Sequence, residues 1–272
     1  MAEPLLAETP KLVCAGGQIL GARRDQQDVF RAAPWGKHGL ILALADGMGG
    51  HEGGAEAAGL AVRAGMDSLL GAKGKDIPGD LNAAMTAASE VIHSAKQAAP
   101  HKRDMGTTLV LVMVLRRQVW WASVGDSPLW QIRDNAMRRL NRDHSMVPVL
   151  KELVRSGELT AEDAAIDPRR NQLRSALTGA PIPMLDLSDV PASLAPGDDL
   201  VLASDGLLSL PVAGIADTVR ANGSAGEATA ALLSQVSALN IAGQDNTSVM
   251  ICHRIRKNWL PALFRRQSSS PS

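Results

Sequence analysis

Cysteine is scarce in this chain. Two residues of 272, Cys14 and Cys252, carry thiols, with no C-x-x-C or Cys/His metal spacing, which excludes a disulfide framework and predicts reduced thiols. Net charge is also missing. With 28 basic against 28 acidic side chains, no global field gathers nucleic acid or an anionic membrane, so any phosphate must be met by a local site. Nor is there a long apolar run: the longest uninterrupted stretch, Thr107 to Leu115, stops at Arg116 and Arg117, far short of the roughly 20 residues of a membrane helix. No membrane span is expected. The opening MAEPLLAETPKLVC places Glu3 and Glu8 where a secretion signal needs a basic flank and an apolar core, so a cytoplasmic location is expected. The P-loop pattern, an EF-hand loop and an H-E-x-x-H helix are all absent, and GMGGHEGG lacks Rossmann spacing. Nucleotide-driven chemistry loses its usual marks.

What is present is a globular composition, 45% apolar and 21% charged, of a length that one core can accommodate. Strand patterns occur at GGQIL, at the run GLILALADG and in the meander TTLVLVMVL, VWWASVGD, PLWQIRD and AMRRL, with turns at Arg116–Gln118 and Asp134–Asn135. Alanine-rich segments at 54–70 and 79–98 have helical spacing, with Asp80 placed to cap the second. Residues 146–170 read as a helical insertion in which Thr160 caps a short helix before Pro168. Further strands are predicted near 184–190, 199–205 and 247–255, with helices near 212–221 and 225–240. No internal repeat is visible. Strands and helices fall in blocks without βαβ alternation, so the expected class is α+β, an antiparallel β sandwich flanked by helices. One domain is expected over 1–255, followed by a basic, serine-rich tail at 256–272 that is expected to be disordered.

Four aspartates sit at strand ends: Asp46 after LILALA, Asp126 after WASVG, Asp205 after LVLAS, and Asp245 before NTSVMI. Strand ends deliver side chains to the rim of a sheet, where carboxylates from different strands can surround a hard divalent cation. Gly47, beside Asp46, lets a backbone carbonyl approach such an ion. Each feature alone has an ordinary reading, since Asp-Gly is a common turn and Asp126 or Asp245 could be a solvated turn residue or a helix cap. Arg23 taken singly reads as a surface arginine.

Together these segments resemble the PP2C-type metal-dependent protein phosphatases (PPM family), specifically their bacterial branch. RRDQQD at 23–28, DGMGGH at 46–51 with Gly54 and Ala57–Ala58, GTT at 106–108, SVGDS at 123–127, DHS at 143–145, NQLRSALTG at 171–179, ASDGL at 203–207 and QDNTSV at 244–249 follow that family's order, covering about 17–255. The resemblance implies a four-layer αββα fold with a flap at about 146–170. It implies hydrolysis of phosphoserine and phosphothreonine in proteins, without a phosphoenzyme, by water activated between two Mn²⁺ or Mg²⁺ ions. Asp46 would bridge the two ions, the Gly47 carbonyl would bind one, Asp205 and Asp245 would complete the pair, and Asp126 would help hold a third. Asp28 would orient the water and Arg23 would grip phosphoryl oxygens. Two close cations lower the pKa of a shared water from 15.7 to roughly 7, and an arginine fork matches a tetrahedral oxyanion.

The sequence departs from the family pattern at several places. Gln26 and Gln27 stand where many members have Asn and Glu, Pro128 where an arginine is usual, and Asp167 where histidine is common. Met48 replaces a histidine proposed to protonate the leaving group, which leaves His51 as a nearby alternative. The implied partners are phosphorylated proteins, a Ser/Thr kinase and its substrates, with no nucleic acid, and a monomer is the expectation. Two rivals remain: a pseudophosphatase that binds without turnover, against which the intact set Asp46, Asp205 and Asp245 speaks, and a small-molecule phosphatase.

Overall fold

The structure, a computed structural model, describes residues 5–49, 52–99, 102–134 and 136–256. His51 and the expected tail beyond Arg256 lie outside them. In chain order come β1 (Leu5–Thr9), β2 (Leu12–Ile19), β3 (Asp28–Trp35), β4 (Gly39–Met48), α1 (Glu52–Gly71), α2 (Ile77–Ala98), β5 (Gly106–Thr107), β6 (Leu109–Leu115), β7 (Gln118–Val124), β8 (Leu129–Arg133) and β9 (Ala136–Arg139). Then follow α3 (Val147–Ser156), α4 (Ala161–Ile166), β10 (Asp186–Leu187), β11 (Ala192–Ser193), β12 (Asp199–Ala203), a 3₁₀ turn at Asp205–Ser209, α5 (Val212–Ala221), α6 (Ala225–Ala238) and β13 (Thr247–Arg254).

Two antiparallel sheets face each other, ordered β1-β2-β13-β12-β8-β9 and β10-β7-β6-β4-β3. Side-chain alternation explains why their central strands read as unbroken apolar runs. Ile41, Ala43 and Ala45 of β4, with Leu109, Leu111 and Met113 of β6, pack on α1 and α2. The intervening Leu40, Leu42, Leu44, Val110, Val112 and Val114 meet Leu200, Leu202, Met250 and Cys252 of the other sheet. That sheet's remaining face, Val201, Ala203, Val249 and Ile251, is covered by Ile215, Val219, Leu232 and Val236 of α5 and α6. A strand buried on both faces has no polar register to show. Helix, sheet, sheet and helix thus form the expected four layers.

Cys14 and Cys252 pair across β2 and β13 in the inter-sheet core as free thiols. Burial pushes the Cys14 thiol up to about 12, which removes its nucleophilicity. Among the described residues no helix is long and apolar enough to cross a membrane.

Some local expectations are corrected. Asp76, not Asp80, caps α2: its side chain accepts from the Gly79 amide, while Asp80 accepts from the Gly74 amide. The helix therefore begins at Ile77, with Pro78 in its first turn, where a missing N–H loses nothing. Asp76→Ala is expected to lower stability by about 1 kcal/mol, read as a shift of the denaturant midpoint without a change of slope. The strand predicted at 184–190 is only the two-residue β10 on β7, with β11 pairing onto β7 just beyond the predicted range. Strands β1 and β3 and their edge positions were not anticipated from the sequence pattern. Thr160 caps α4 as expected, accepting from the Asp163 amide.

Candidate active site

Strand register brings the aspartates together. Asp28, at the start of β3, pairs directly with Asp46 near the end of β4, so two carboxylates project from one face within about 5.5 Å between Cβ atoms. Like charges in this position oppose folding, so the arrangement needs other support. It has it: the Asp46 amide donates to Thr108 Oγ1 at 2.9 Å, and the Asp46 carbonyl accepts from Thr107 Oγ1 at 2.8 Å and from the Thr108 amide at 2.9 Å. The GTT segment is a clamp on the backbone of Asp46.

Gly47 is held as closely. A Cβ there would lie 2.1 Å from the Gly54 carbonyl oxygen and 2.8 Å from that of Gln27, so only glycine lets β4 and the start of α1 approach. Asp205 opens the 3₁₀ turn after β12. The preceding Ser204 donates from Oγ to Asp28 Oδ2 at 2.7 Å and accepts from the Ser248 amide at 2.9 Å, tying the ends of β3, β12 and β13 together. Asp245 lies just before β13; its Oδ1 accepts from the Asn246 amide at 2.8 Å and its Oδ2 from Arg23 Nη2 at 2.5 Å. Asp126 follows Gly125, whose φ of 102° suits glycine.

These residues line one cavity of about 840 Å³. Arg23, Asp46, Gly47, Met48, Thr108, Asp126, Asp205 and Asp245 border it, and Asn171, Gln172 and Leu173 close one side. Asp28 sits behind this lining, 3% exposed. Burial first, and then neighbouring carboxylates, raise the acids: Asp28 to about 6, Asp126 to about 7, Asp205 upward and Asp46 well above its usual range. The charges of Asp28, Asp205, Asp126 and Asp245 all act on Asp46. Keeping protons is how clustered acids reduce their repulsion.

A hard divalent cation fits the donor set. Every side-chain donor is a carboxylate oxygen, and Asp28 Oδ1 and Asp205 Oδ1 are buried without a hydrogen-bond partner, an expensive condition for an acceptor. Among the described residues no three acidic, histidine or cysteine side chains close on a common point. An ion such as Mg²⁺, which keeps several waters and takes one or two carboxylates, does not require that they should.

Sequence reasoning missed the supports around Asp126. His144 brackets the preceding glycine, its Nδ1 accepting from the Gly125 amide at 3.2 Å and its own amide donating to the Gly125 carbonyl at 3.1 Å. Burial lowers the His144 pKa, which keeps Nδ1 free to accept. Arg139 donates from Nη2 to the Asp126 carbonyl at 2.6 Å and from Nη1 to Asp143 at 3.0 Å. The DHS segment is therefore a brace for SVGDS, a signal visible in the sequence only as two polar strings 17 residues apart at Asp126 and Asp143.

Comparison with known proteins agrees with this architecture. The family model for protein phosphatase 2C matches residues 21–238. The serine/threonine phosphatase stp of Listeria welshimeri is 33% identical over 221 residues, 79% of this chain and 84% of that protein. The crystal structure of the Mycobacterium tuberculosis serine/threonine phosphatase PstP/Ppp superposes with a TM-score of 0.77 at 27% identity, covering 90% of this chain and 100% of that one. A structure of the PstP catalytic domain in complex with two manganese ions gives a TM-score of 0.74 at 27% identity, over 90% of this chain and 99% of that one. With the match spanning both sheets and every strand end that bears a site aspartate except Asp245, the chain belongs to the protein phosphatase 2C family.

Proposed function

We propose that this protein is a metal-dependent serine/threonine protein phosphatase of the bacterial type. The observation that carries the reading is the convergence of Asp46, Asp126, Asp205 and Asp245 around one cavity, with Asp28 behind them and Arg23 at the rim, in a chain whose relatives are named serine/threonine phosphatases. Asp46, Asp205, Asp245 and the Gly47 carbonyl would hold two divalent ions, Mn²⁺ or Mg²⁺, and Asp126 would help hold a third. Bound there, the cations would supply a nucleophilic oxygen near neutral pH and charge to stabilise an in-line displacement at phosphorus.

The chain's own residues would do the rest. Asp28, fixed by the Ser204 hydroxyl, would accept a hydrogen bond from the attacking water and fix its direction. Arg23 would bind the phosphoryl oxygens. Its side chain is 56% exposed and its partner Asp245 40%, and an ion pair so wetted is worth about 0–1 kcal/mol. A charge-assisted hydrogen bond to phosphate is worth about 1.5–3 kcal/mol, so substrate can draw Arg23 away from Asp245. Met48 offers no proton to the leaving alkoxide; a water near Asp126 would supply it, with His51 the alternative donor. The proposed setting is cytoplasmic, opposite a Ser/Thr kinase, with the helical excursion at 146–170 acting as a flap beside the cavity.

Phosphate release from a panel of phosphoserine and phosphothreonine peptides, with and without Mn²⁺, tests this reading. Turnover of the peptides with Mn²⁺ alone is the expected result. Binding without release would instead indicate a pseudophosphatase, and release from sugar phosphates but not peptides a small-molecule phosphatase. Arg23→Ala is expected to lower kcat/KM for phosphopeptide roughly 10–150-fold while metal stoichiometry by calorimetry is unchanged. Wild-type kinetics in that variant would return Arg23 to the status of a surface arginine.

A further inference from the structure

The strands that end at the carboxylates begin or end, at the other pole of the sandwich, around a second cavity bordered by basic residues. It measures about 480 Å³ and is lined by Lys11, His38, Arg116, Arg117, Gln118 and Arg254. His38 precedes β4, Arg116 and Arg117 join β6 to β7, Lys11 precedes β2, and Arg254 ends β13. From His38 to Asp46 is eight residues of nearly continuous strand, about 26 Å at ~3.3 Å per residue. The two cavities are therefore separate.

Five of the six lining residues are Lys, Arg or His and none is acidic; Asp198, whose charge reaches Arg254, is already paired with Arg133. Among the described residues none of Lys11, His38, Arg116, Arg117 and Arg254 forms an ion pair. Arg254 is 3% exposed; its Nη1 donates to the Arg116 carbonyl, and its Nε is buried with no acceptor. A charged donor left in this condition normally has a partner that satisfies it. The hairpin turn adds to the case. Arg116 adopts a left-handed φ of 57° at a turn position where Gly, Asn or Asp is the unstrained choice, and a second arginine follows it.

We propose that this pole is a second anion site, which binds a phosphate group, free or carried on a small molecule, independently of the catalytic cavity. Guanidinium forks match the oxygens of a tetrahedral oxyanion and remain charged. The volume exceeds what one phosphate fills and falls in the range of small-molecule sites. The site does not depend on the phosphatase reading.

Amide-resolved NMR titration of the full chain in Mg²⁺, with inorganic phosphate and with non-hydrolysable phenylphosphonate, tests it. Saturable shifts are expected at Leu12, Gly39, Gln118 and Ile255, as a set distinct from any near Arg23 and Gly47. Stronger binding of phosphate would assign the free ion, and stronger binding of phenylphosphonate a carried phosphate. Lys11→Gln combined with Arg117→Gln, both at exposed positions, should weaken binding at the pole at least tenfold and leave turnover and the shifts near Arg23 unchanged. Shifts at the pole that do not saturate, that sulfate and chloride reproduce equally, or that persist in the double variant would mean an adventitious ion only, and would overturn the proposal.

Discussion

Asp46→Asn is expected to reduce phosphopeptide turnover by about a thousandfold or more, a loss of at least ~4 kcal/mol of transition-state stabilisation. Asp46 stands at the centre of the acidic cluster, feeling Asp28, Asp205, Asp126 and Asp245 at once, and under the proposed assignment it is the one ligand shared by both core ions. An amide carries no charge to hold them, so calorimetry should show both ions lost. Asp126→Asn should instead leave two ions bound and reduce rate. The same Asp46 substitution should act in the opposite direction on stability in chelator. At alkaline pH, where Asp46 is ionised in the metal-free protein, it removes one charge from a buried repulsive group, so the metal-free variant is expected to melt a few degrees higher than wild type there. Two-ion stoichiometry persisting in Asp46→Asn would remove Asp46 from the bridging role.

Chelation is expected to abolish turnover and also to reverse the dependence of stability on pH. In the folded chain Asp28 and Asp126 keep protons up to about 6 and about 7, and Asp46 and Asp205 are raised as well, whereas the unfolded chain releases those protons near pH 4. Between about pH 4 and pH 7 the folded state therefore binds more protons than the unfolded one, and stability falls as pH rises. His144, whose pKa burial lowers, contributes the opposite slope, but it is one group against four. Metal-free protein should accordingly melt several degrees higher near pH 5 than near pH 7.5. With saturating Mn²⁺ the order should invert, because the ions displace those protons and bind more tightly as pH rises. Parallel melting curves with and without Mn²⁺ across this range would show that the clustered carboxylates do not hold the ions.

Much of this was legible in the sequence because strand ends and glycines punctuate it. Asp46, Asp126 and Asp205 each follow an apolar strand, and the family resemblance carried by the order of short motifs implied the four layers. The missing parts have physical causes. Strand β3 contains Pro34 and the exposed Arg31 and lies at a sheet edge, where proline is tolerated and hydrophobic alternation weakens. Asp76 and Asp80 both precede or enter a helical pattern, and only the backbone path shows which one reaches the first-turn amides. The clamp of Thr107 and Thr108 on Asp46 spans 62 residues, and the brace of His144 on Gly125 spans 19. Such pairings arise from the tertiary register, which no local pattern encodes.

The excursion formed by α3 and α4 has a consequence for how the molecule opens. Its two ends meet at a narrow neck, where the Met146 amide donates to the Gln172 carbonyl at 3.0 Å and the Arg174 amide to the His144 carbonyl at 2.7 Å, with Ser145 bridged to Leu173. Within it Leu150 and Ala164 are buried, while Ile166 is 80% exposed. So small a core makes the excursion a low-stability foldon on a high-stability scaffold. Its helical amides should exchange with deuterium through local opening, orders of magnitude faster than those of β4, β6 and β13, which need global unfolding. Because Asn171, Gln172 and Leu173 line the cavity and also form one side of the neck, each opening event would loosen one wall of the cavity while the strand ends that carry the aspartates stay folded.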